Sequence, residues 1–579
     1  MQKSWHLLPK IEDSLRPNYA GFPPVIAQLL FNRGLKAKKE IEDFFSSSEE
    51  AKLFDPFLFT DMEQASAMII KHIQAQDKIM VYGDYDADGV TASALLWETL
   101  NTLKAQVDVY LPDRVTEGYG LNRKAIDFCQ TQGVKLIITV DCGIRDKDNV
   151  AYAASQGIEV IITDHHLPPE DESNYPDCLI INPQTKNNTY PDKNLAGVGV
   201  AFKLAEALVK KSKLSNDKKE KIISHALDLV AIGTIADIVS LLGENRNLVK
   251  KGLAALNKTK RIGLIELIKT ARLEENKNLD AGNIGYQIAP RINAAGRMEH
   301  ANSAFKLLVA KDQTEAQALA QGLNEQNTER QRLTDEIFIE VDRQAAKQAE
   351  EKIIIGLCQL DDEEISEIWN EGLIGLVAGK ICEKYYCPTF VITAAADGYK
   401  GSGRSIPELN IIKVIEKTAQ FLERYGGHPG ACGFNLKKEN LNKFLAAVRQ
   451  EVAVELGEAR LQPQLSIESE LGLEEVNLEL AEKIETFAPF GRDNERPRFI
   501  SRNVRVIDIT NLGQNSQHLK LRLQSQQSGF INALGFGQTE KWNHLRTNDL
   551  IDIVYYIDIN NFNNRQEVQL KIIDIKKVK

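Results

Sequence analysis

Three apolar runs in the first half of the chain each stop abruptly at acidic or imidazole side chains. The runs are 78–83, 136–140 and 160–163, and they lead into Asp84-Tyr85-Asp86-Ala87-Asp88-Gly89, Asp141-Cys142-Gly143 and Asp164-His165-His166. Continuous β-branched runs are typical of strands buried on both faces of a parallel sheet, whose ligands collect at the carboxyl ends of the strands. The pattern therefore predicts one crevice that contains several carboxylates and imidazoles.

Clustered carboxylates of this kind indicate a cation. They repel one another, and proteins tolerate them near a common point chiefly when a cation neutralises them. Carboxylates together with His suit Mn²⁺ or Mg²⁺ better than a metal that prefers thiolates. A fourth apolar segment, 226–236, ends at Asp237, and Asp86 and Asp88 would point the same way in an extended loop. These residues indicate a metal-dependent hydrolytic centre.

The chain is long enough for several domains. Its 579 residues correspond to about three or four domains at roughly 150 residues each. Apolar runs alternate with helical stretches, which predicts an α/β protein with a doubly wound parallel sheet. We divide the chain into five parts. They are a helical amino-terminal cap (1–75), a first α/β domain (76–309), a long connecting helix (310–350), a second α/β domain (351–455) and a small β-barrel (463–579).

Composition indicates the cellular compartment of the protein and the kinds of partner it can bind. The seven cysteines include no Cys-x-x-Cys pair, so reduced thiols in a cytoplasmic protein are the simplest interpretation. The first residues lack an apolar signal core, and no run approaches the roughly 20 apolar residues of a membrane span. The net charge of −10 argues mildly against a uniformly basic nucleic-acid binder, although a local positive groove can coexist with it.

The acidic motifs also carry a family resemblance. Together with Gly233-Thr234-Ile235-Ala236-Asp237 they resemble, in order, four motifs of the DHH phosphoesterase superfamily. The segments Gly401-Ser402-Gly403-Arg404-Ser405 and Gly426-Gly427-His428 are similar to signatures of its associated substrate-binding domain. Segments 111–120, 291–298 and 488–491 resemble the RecJ family of single-strand-specific 5′→3′ DNA exonucleases. The resemblance covers nearly the whole chain and implies a DHH domain, a DHH-associated domain and an oligonucleotide-binding (OB) barrel.

The resemblance also implies a ligand set for a pair of divalent ions, Mn²⁺ or Mg²⁺. The expected metal ligands are Asp86, Asp88, Asp141, His165 and Asp237, with Asp141 as the bridge. His166 is expected to contact a substrate phosphate or to support the ligands. Asp84 and Asp164 are expected to orient ligands through hydrogen bonds, although a helix cap or an Asx-turn accounts for them equally well.

A second set of residues is expected to hold the DNA backbone. The resemblance places Arg114 and Tyr119 near the 5′ end, and Arg297, Ser402 and Arg404 around a 5′-phosphate. It places His428 near the scissile phosphate, and leaves Arg291 either substrate-binding or structural. Asn370 stands where the family usually has His, and Asn can form hydrogen bonds but cannot carry a charge.

We therefore predict a cytoplasmic, monomeric exonuclease that degrades single-stranded DNA in recombination and repair. A single-strand-binding protein and a helicase are candidate partners that the sequence leaves open. One alternative is another DHH enzyme that cleaves cyclic dinucleotides or short oligonucleotides, but such enzymes generally lack the long helix and the barrel. A non-catalytic replication scaffold would be expected to lose ligands, and a pyrophosphatase would not need the barrel. The barrel itself either binds single strands or only packs against the nuclease core.

Overall fold

The computed structural model describes residues 3–273, 278–358, 368–396, 398–458, 461–524, 529–562 and 565–578. Its strands are β1 (Ser4–Leu7), β2 (Lys78–Gly83), β3 (Gln106–Tyr110), β4 (Val134–Val140), β5 (Glu159–Thr163), β6 (Leu179–Ile181), β7 (Ile354–Leu357), β8 (Thr389–Ala395), β9 (Gly398–Arg404), β10 (Arg424–His428), β11 (Ala431–Leu436), β12 (Gln464–Ile467), β13 (Ser469–Glu470), β14 (Phe499–Leu512), β15 (His518–Gln524), β16 (Phe530–Gly535), β17 (Leu550–Phe562) and β18 (Arg565–Lys577).

The α-helices are α1 (Pro24–Asn32), α2 (Lys38–Phe45), α3 (Met62–Ala75), α4 (Ala87–Thr102), α5 (Arg123–Thr131), α6 (Lys147–Ser155), α7 (Gly197–Lys211), α8 (Asn216–Ala236), α9 (Gly243–Leu256), α10 (Ile262–Thr270), α11 (Ala281–Asn283), α12 (Ala289–Met298), α13 (Asn302–Val309), α14 (Gln313–Ala346), α15 (Ile374–Tyr385), α16 (Ile411–Lys417), α17 (Leu441–Leu456) and α18 (Leu478–Glu485). A π-helical turn, Ile284–Ile288, leads into α12. Among the helices of the described residues, none combines the length and the apolar character needed to cross a lipid bilayer.

The chain forms two compact units. The first contains residues 55–237 and 255–463, and the second contains residues 3–54, 238–254 and 464–579. The five-part division drawn from the sequence stays a prediction, since this grouping follows contacts rather than sequence order.

The first unit contains the predicted parallel sheet, in the strand order β3-β2-β4-β5-β6. The three apolar runs form β2, β4 and β5, and their inner residues are buried, as expected for strands covered on both faces. The register pairs Gly83 with Val140 and Val140 with Thr163. The acidic motifs therefore leave the sheet at the same level and side by side.

Helices complete the first unit and connect it to a second sheet within the same unit. Helix α4 follows β2 and packs against α7 and α8. The predicted connecting helix is α14, which has 34 residues. It leads to a sheet in the order β10-β11-β9-β8-β7, where only the β7–β8 pair is parallel. The core of this sheet includes the stacked rings of Phe390 and Phe444.

The second unit contains a closed five-stranded barrel. Strands β14, β15, β16, β18 and β17 pair in that order, and β17 pairs back with β14. The core of the barrel includes Leu521 and Tyr555, and it also includes Leu29, Leu30 and Phe44 from α1 and α2. Residues near the amino terminus thus share a hydrophobic core with the carboxyl-terminal barrel.

Candidate active site

Carboxylates of the site lie in the loops that follow β2, β4 and β5. Asp84 and Asp141 come directly after β2 and β4, and Asp164 follows β5. The Asp141 N–H donates to the Thr163 carbonyl at 3.0 Å, and its φ of 64° is left-handed. Asp adopts this conformation more readily than most residues, and such backbone strain concentrates at functional sites. The Asp141 backbone is therefore held in a fixed conformation.

Eight of the residues predicted from the sequence lie at this site. Seven of them form three overlapping clusters, and the eighth contacts one of the seven. The clusters are Asp84 with Asp86 and Asp141, Asp88 with His165 and Asp237, and Asp141 with His165 and His166. Within each cluster the candidate ligand atoms lie within 4.8 Å of one another. Because Asp141 and His165 each belong to two clusters, the three form one continuous site. Asp164, the eighth residue, binds His166 from outside the clusters.

Asp86 and Asp88 reach this site differently from the expectation for an extended loop. Asp86 caps α4, and its Oδ1 accepts hydrogen bonds from the N–H groups of Asp88 and Gly89 at 2.9 and 3.1 Å. Asp88 lies in the first turn of α4, so the prediction that both side chains point the same way along extended chain was wrong. The helix start separates them, and each carboxylate joins a different cluster.

The donor set fits a divalent cation. Asp141 Oδ1 and His165 Nε2 lie 3.1 Å apart, yet each is buried without a hydrogen-bond partner of acceptable geometry. Asp84 Oδ1 is also buried without a hydrogen-bond partner. Buried polar atoms normally have partners, and carboxylate oxygens with an imidazole nitrogen are ligands for Mn²⁺ and Mg²⁺. Two of these atoms thus belong to residues expected to bind a metal, whereas Asp84 was expected only to orient the ligands.

The electrostatics of the site favour either protonated carboxylates or a bound cation that neutralises them. Burial and the charge of Asp237 raise the pKa of Asp88 to about 7. Burial and neighbouring carboxylates raise the pKa values of Asp84 and Asp141 well above the ordinary value. Burial, with the charge of His166, lowers the pKa of His165, which keeps that imidazole neutral as a ligand requires.

A small hydrogen-bond network that reaches outside the three clusters holds His166. Its Nδ1 is 2.8 Å from Asp164 Oδ1 and 3.0 Å from the Tyr119 hydroxyl, which is 3.1 Å from the Asp141 carbonyl. Burial opposes a charge on His166, but Asp164 outweighs it and raises the pKa to about 9. Asp164 therefore favours the cationic form of His166. Asp164 also accepts the N–H of Ile144 at 3.0 Å, so its carboxylate holds both a backbone amide and His166.

A group of guanidiniums lies beside the acidic cluster. Burial and the charge of Arg114 lower the pKa of Arg297 to about 9, and Arg404 acts on Arg297 in the same direction. Arg404 Nη1 donates to Ser402 Oγ at 3.3 Å and to the Gly403 carbonyl at 2.8 Å. Mutual repulsion among these cations is relieved by an anion. The structure therefore brings Arg114, Arg297, Ser402 and Arg404 into one electrostatic environment.

Three other predicted residues have different surroundings. Arg291 donates to Asn324 Oδ1 at 3.1 Å and to the Gln287 carbonyl at 2.6 Å, and it lines a separate cavity of about 590 Å³. Asn370 Oδ1 accepts the Gly372 N–H at 2.8 Å, which orders the turn before α15. His428 lies on the exposed strand β10, where its Nδ1 accepts the Gly430 N–H at 3.2 Å. These contacts favour a structural role for Arg291.

Comparisons with known proteins agree with this architecture. Family models match residues 78–234 (DHH family, N-terminal domain), 352–454 (DHHA1 domain) and 467–574 (RecJ OB domain). The chain is 36% identical to the single-stranded-DNA-specific exonuclease RecJ of Bacillus subtilis, covering 95% of this chain and 68% of that protein. It is 30% identical to the protein of the same name from Escherichia coli, over 96% of both chains. The chain belongs to the RecJ family.

Solved structures of the RecJ family share the fold. The crystal structure of Thermus thermophilus RecJ in complex with Mn²⁺ matches with a TM-score of 0.83 at 27% identity, over 99% of this chain and 80% of that one. A crystal structure of exonuclease RecJ bound to manganese matches with a TM-score of 0.59 at 33% identity, over 70% of this chain and 98% of that one.

Sequence reasoning missed several residues that shape this RecJ-family site. The N–H groups of Gly197 and Val198, at the start of α7, donate to the two Asp88 oxygens at 2.7 and 2.9 Å. Asn293 Oδ1 accepts the Ala87 N–H at 2.8 Å, and the ring of Tyr85 lies under Arg114. Asn293 and Tyr85 are inside quoted motifs, whereas nothing near Gly197 in the sequence points to Asp88.

Proposed function

We propose that this chain is a Mn²⁺- or Mg²⁺-dependent exonuclease that hydrolyses the phosphodiester bonds of single-stranded DNA in the 5′→3′ direction. The observation that carries the proposal is the continuity of the three ligand clusters through Asp141 and His165, in a chain of the RecJ family.

Asp86, Asp88, Asp141, His165 and Asp237 are the proposed ligands of two divalent ions, with Asp141 shared between them. Asp84 faces the same cluster as Asp86, so it is a further candidate ligand as well as an orienting residue. Divalent ions at such a site activate water and neutralise charge that develops on the phosphate. The backbone N–H groups at the start of α7 fix the orientation of Asp88, and Asp164 fixes that of His166.

His166 is the proposed donor to the scissile phosphate. Its Nδ1 is engaged by Asp164 and Tyr119, so Nε2 is the remaining ring nitrogen that can donate to substrate. We propose that His428, whose neighbouring glycines let backbone approach closely, contacts the same phosphate region.

The 5′-phosphate pocket is proposed to consist of Arg114, Arg297, Ser402 and Arg404, with Asn370 at its edge. A Cβ at Gly375, near the start of α15, would lie 3.0 Å from Ser402 Oγ and 3.2 Å from Arg404 Nη2. The amino-terminal turn of a 12-residue helix thus approaches these side chains, and helix amino termini favour phosphate. Charge-assisted bonds from guanidiniums would hold a terminal phosphate in register.

The barrel is proposed to bind single-stranded DNA. Phe530 and Phe536 are 52% and 60% exposed, and the Arg522 guanidinium lies 4.1 Å from the Phe530 ring centroid. An exposed ring beside a cation can stack on bases without reading their sequence. Tyr555, by contrast, is fully buried and belongs to the core.

We further propose that the enzyme acts as a monomer in the cytoplasm during recombination and repair. A single-strand-binding protein and a helicase are candidate partners, because single strands in cells are covered by the first and generated by the second.

The direct test is digestion, with Mn²⁺ present, of single strands labelled at either end, of blunt duplex and of dinucleotides. We expect the 5′ label to appear in mononucleotides before the 3′ label, with blunt duplex resistant. Exclusive cleavage of dinucleotides would instead favour the alternative DHH phosphodiesterase. Release of the 3′ label first would contradict the proposed direction.

A further inference from the structure

Arg114 rests on an aromatic ring rather than on a carboxylate. Its guanidinium carbon lies 4.1 Å from the centroid of the Tyr85 ring. Its Nε is buried and has no hydrogen-bond partner. Within the residues that the structure describes, no carboxylate lies within ion-pair distance of Arg114, although its charge acts on Asp84, which precedes Tyr85 in the chain.

The backbone that carries Tyr85 is fixed by α12. A Cβ at Gly296 would lie 2.5 Å from the Tyr85 carbonyl oxygen and 3.5 Å from the Tyr85 Cβ, so α12 approaches this loop closely. Two residues further on, the Ala87 N–H donates to Asn293 Oδ1 at 2.8 Å. Tyr85 is half-buried between these contacts and the Arg114 loop. The ring is therefore a firm support for a side chain that lies on it.

The type of support determines what Arg114 can bind. An arginine paired with a carboxylate has part of its N–H fork occupied and its charge neutralised, both of which weaken binding of a phosphate. A ring attracts the guanidinium through its face and takes up none of the hydrogen bonds that its N–H groups can donate. An aromatic support thus orients the cation while preserving its capacity to bind an anion.

We propose that Tyr85 is a positioning residue that holds Arg114 in the orientation in which it binds the terminal 5′-phosphate of the DNA strand. This inference rests on the proposed function, which places Arg114 in the phosphate pocket. In this proposal Tyr85 acts on the strand only through Arg114. Its position between two acidic residues links the metal loop to the pocket, so the loop that binds the metal also supports recognition of the strand's end.

The test compares Tyr85→Leu with Tyr85→Phe, and uses 5′-phosphorylated and 5′-hydroxyl strands of the same sequence. Loss of the ring in the Leu variant should raise KM for the phosphorylated strand by about 3- to 10-fold, the range expected for one cation–π contact. KM for the hydroxyl strand should change little. The Phe variant keeps the ring face and should restore the preference for phosphate. Tyr85→Met supplies a second ring-free variant should the Leu variant fold poorly.

Two controls separate positioning from general disruption. The double variant Tyr85→Leu/Arg114→Ala should be no worse than Arg114→Ala alone, because Tyr85 acts through Arg114. Tyr152→Leu removes the ring that lies 5.1 Å from Arg123 at another place, and it should leave the preference for phosphate unchanged. Calorimetric Mn²⁺ affinity should be the same for Tyr85→Leu and the unmodified chain.

Several outcomes would overturn the inference. They are a Phe variant as impaired as the Leu variant, equal losses on both strands, a full additional loss in the double variant, or weakened Mn²⁺ binding by Tyr85→Leu. An Arg114→Ala variant that keeps the preference for 5′-phosphate would also overturn it. By contrast, a failure of the unmodified chain to cleave single strands from the 5′ end would overturn the proposed function, which the same assay shows separately.

Discussion

Gly197 is a position where one methyl group should disable the metal centre. Its N–H donates to Asp88 Oδ2 at 2.7 Å, and an added Cβ would lie 2.5 Å from Asp141 Oδ1 and 2.6 Å from Asp141 Cγ. Ordinary contact begins at 3.4 Å, so the Gly197→Ala substitution would require the two groups to separate by about 0.9 Å. Asp141 cannot easily supply that shift, because its backbone is held by Thr163 in a left-handed conformation.

The expected cost of Gly197→Ala follows from that displacement. A misplacement of about 1 Å lowers turnover by on the order of 10²-fold, and overpacking destabilises a core by about 1–3 kcal/mol. The better helix propensity of Ala offsets up to about 1 kcal/mol of this. We therefore expect a folded variant with weaker Mn²⁺ binding and roughly 10²-fold slower release of nucleotides from labelled single strands.

Gly322→Ala is the matched control for this variant. Gly322 is in α14, and no atom lies within 4 Å of its hypothetical Cβ. This variant should retain activity and gain about 0.5–1 kcal/mol of stability in urea unfolding. A Gly197→Ala chain with unchanged rate and unchanged Mn²⁺ affinity would refute the reasoning, because it would show that the Asp141 carboxylate does not need its present position.

Three further predictions concern the metal ligands and the phosphate pocket. Asp141→Asn should abolish Mn²⁺-dependent hydrolysis. It should also raise the melting temperature in EDTA at neutral pH, because it removes a buried carboxylate whose pKa is raised by burial and by Asp88. A lower melting temperature would show that this carboxylate does not destabilise the metal-free fold. Mn²⁺ affinity measured by calorimetry should increase about tenfold between about pH 6 and about pH 8, because the ion displaces a proton from Asp88, whose pKa is about 7; a flat profile would argue that Asp88 is ionised throughout. Arg404→Ala should impair 5′-phosphorylated strands more than 5′-hydroxyl strands in steady-state kinetics, through lost charge-assisted bonds, whereas equal impairment would indicate general backbone binding.

The sign of the pH effect on stability follows from the same carboxylates. A folded-state pKa above the unfolded value means that the protonated form is favoured by folding, so the associated stability is present at low pH and lost as pH rises through the folded pKa. For Asp88 that loss begins as pH rises above the ordinary value of 3.8 and is complete once pH has passed its folded-state pKa of about 7. The advantage of Asp141→Asn in EDTA should accordingly grow as pH rises.

The parallel sheet was predictable because the relevant information is local. Continuous apolar runs encode buried strands, and the acidic residue that ends each run marks the edge where ligands collect. The registers of β2, β4 and β5 confirm this reasoning by placing the motif loops at one level. The length of α14 also followed from helical spacing without interruption.

Other features depend on tertiary contacts that no local pattern records. The start of α7 reaches Asp88 from more than 100 residues away in sequence, and its N–H groups carry no side-chain signature. The helical position of Asp88 was missed because Asp86 caps α4 immediately after the strand. The sharing of the barrel core by α1 and α2 depends on long-range packing. Tyr85 lies inside the first acidic motif, where the sequence alone gives it no role.

The most direct measurement of the central claim is the location of bound Mn²⁺ by anomalous diffraction from crystals of this chain. The account predicts two ions among Asp86, Asp88, Asp141, His165 and Asp237, with Asp141 in contact with both. Ions bound elsewhere, or a single ion that Asp141 does not contact, would contradict it.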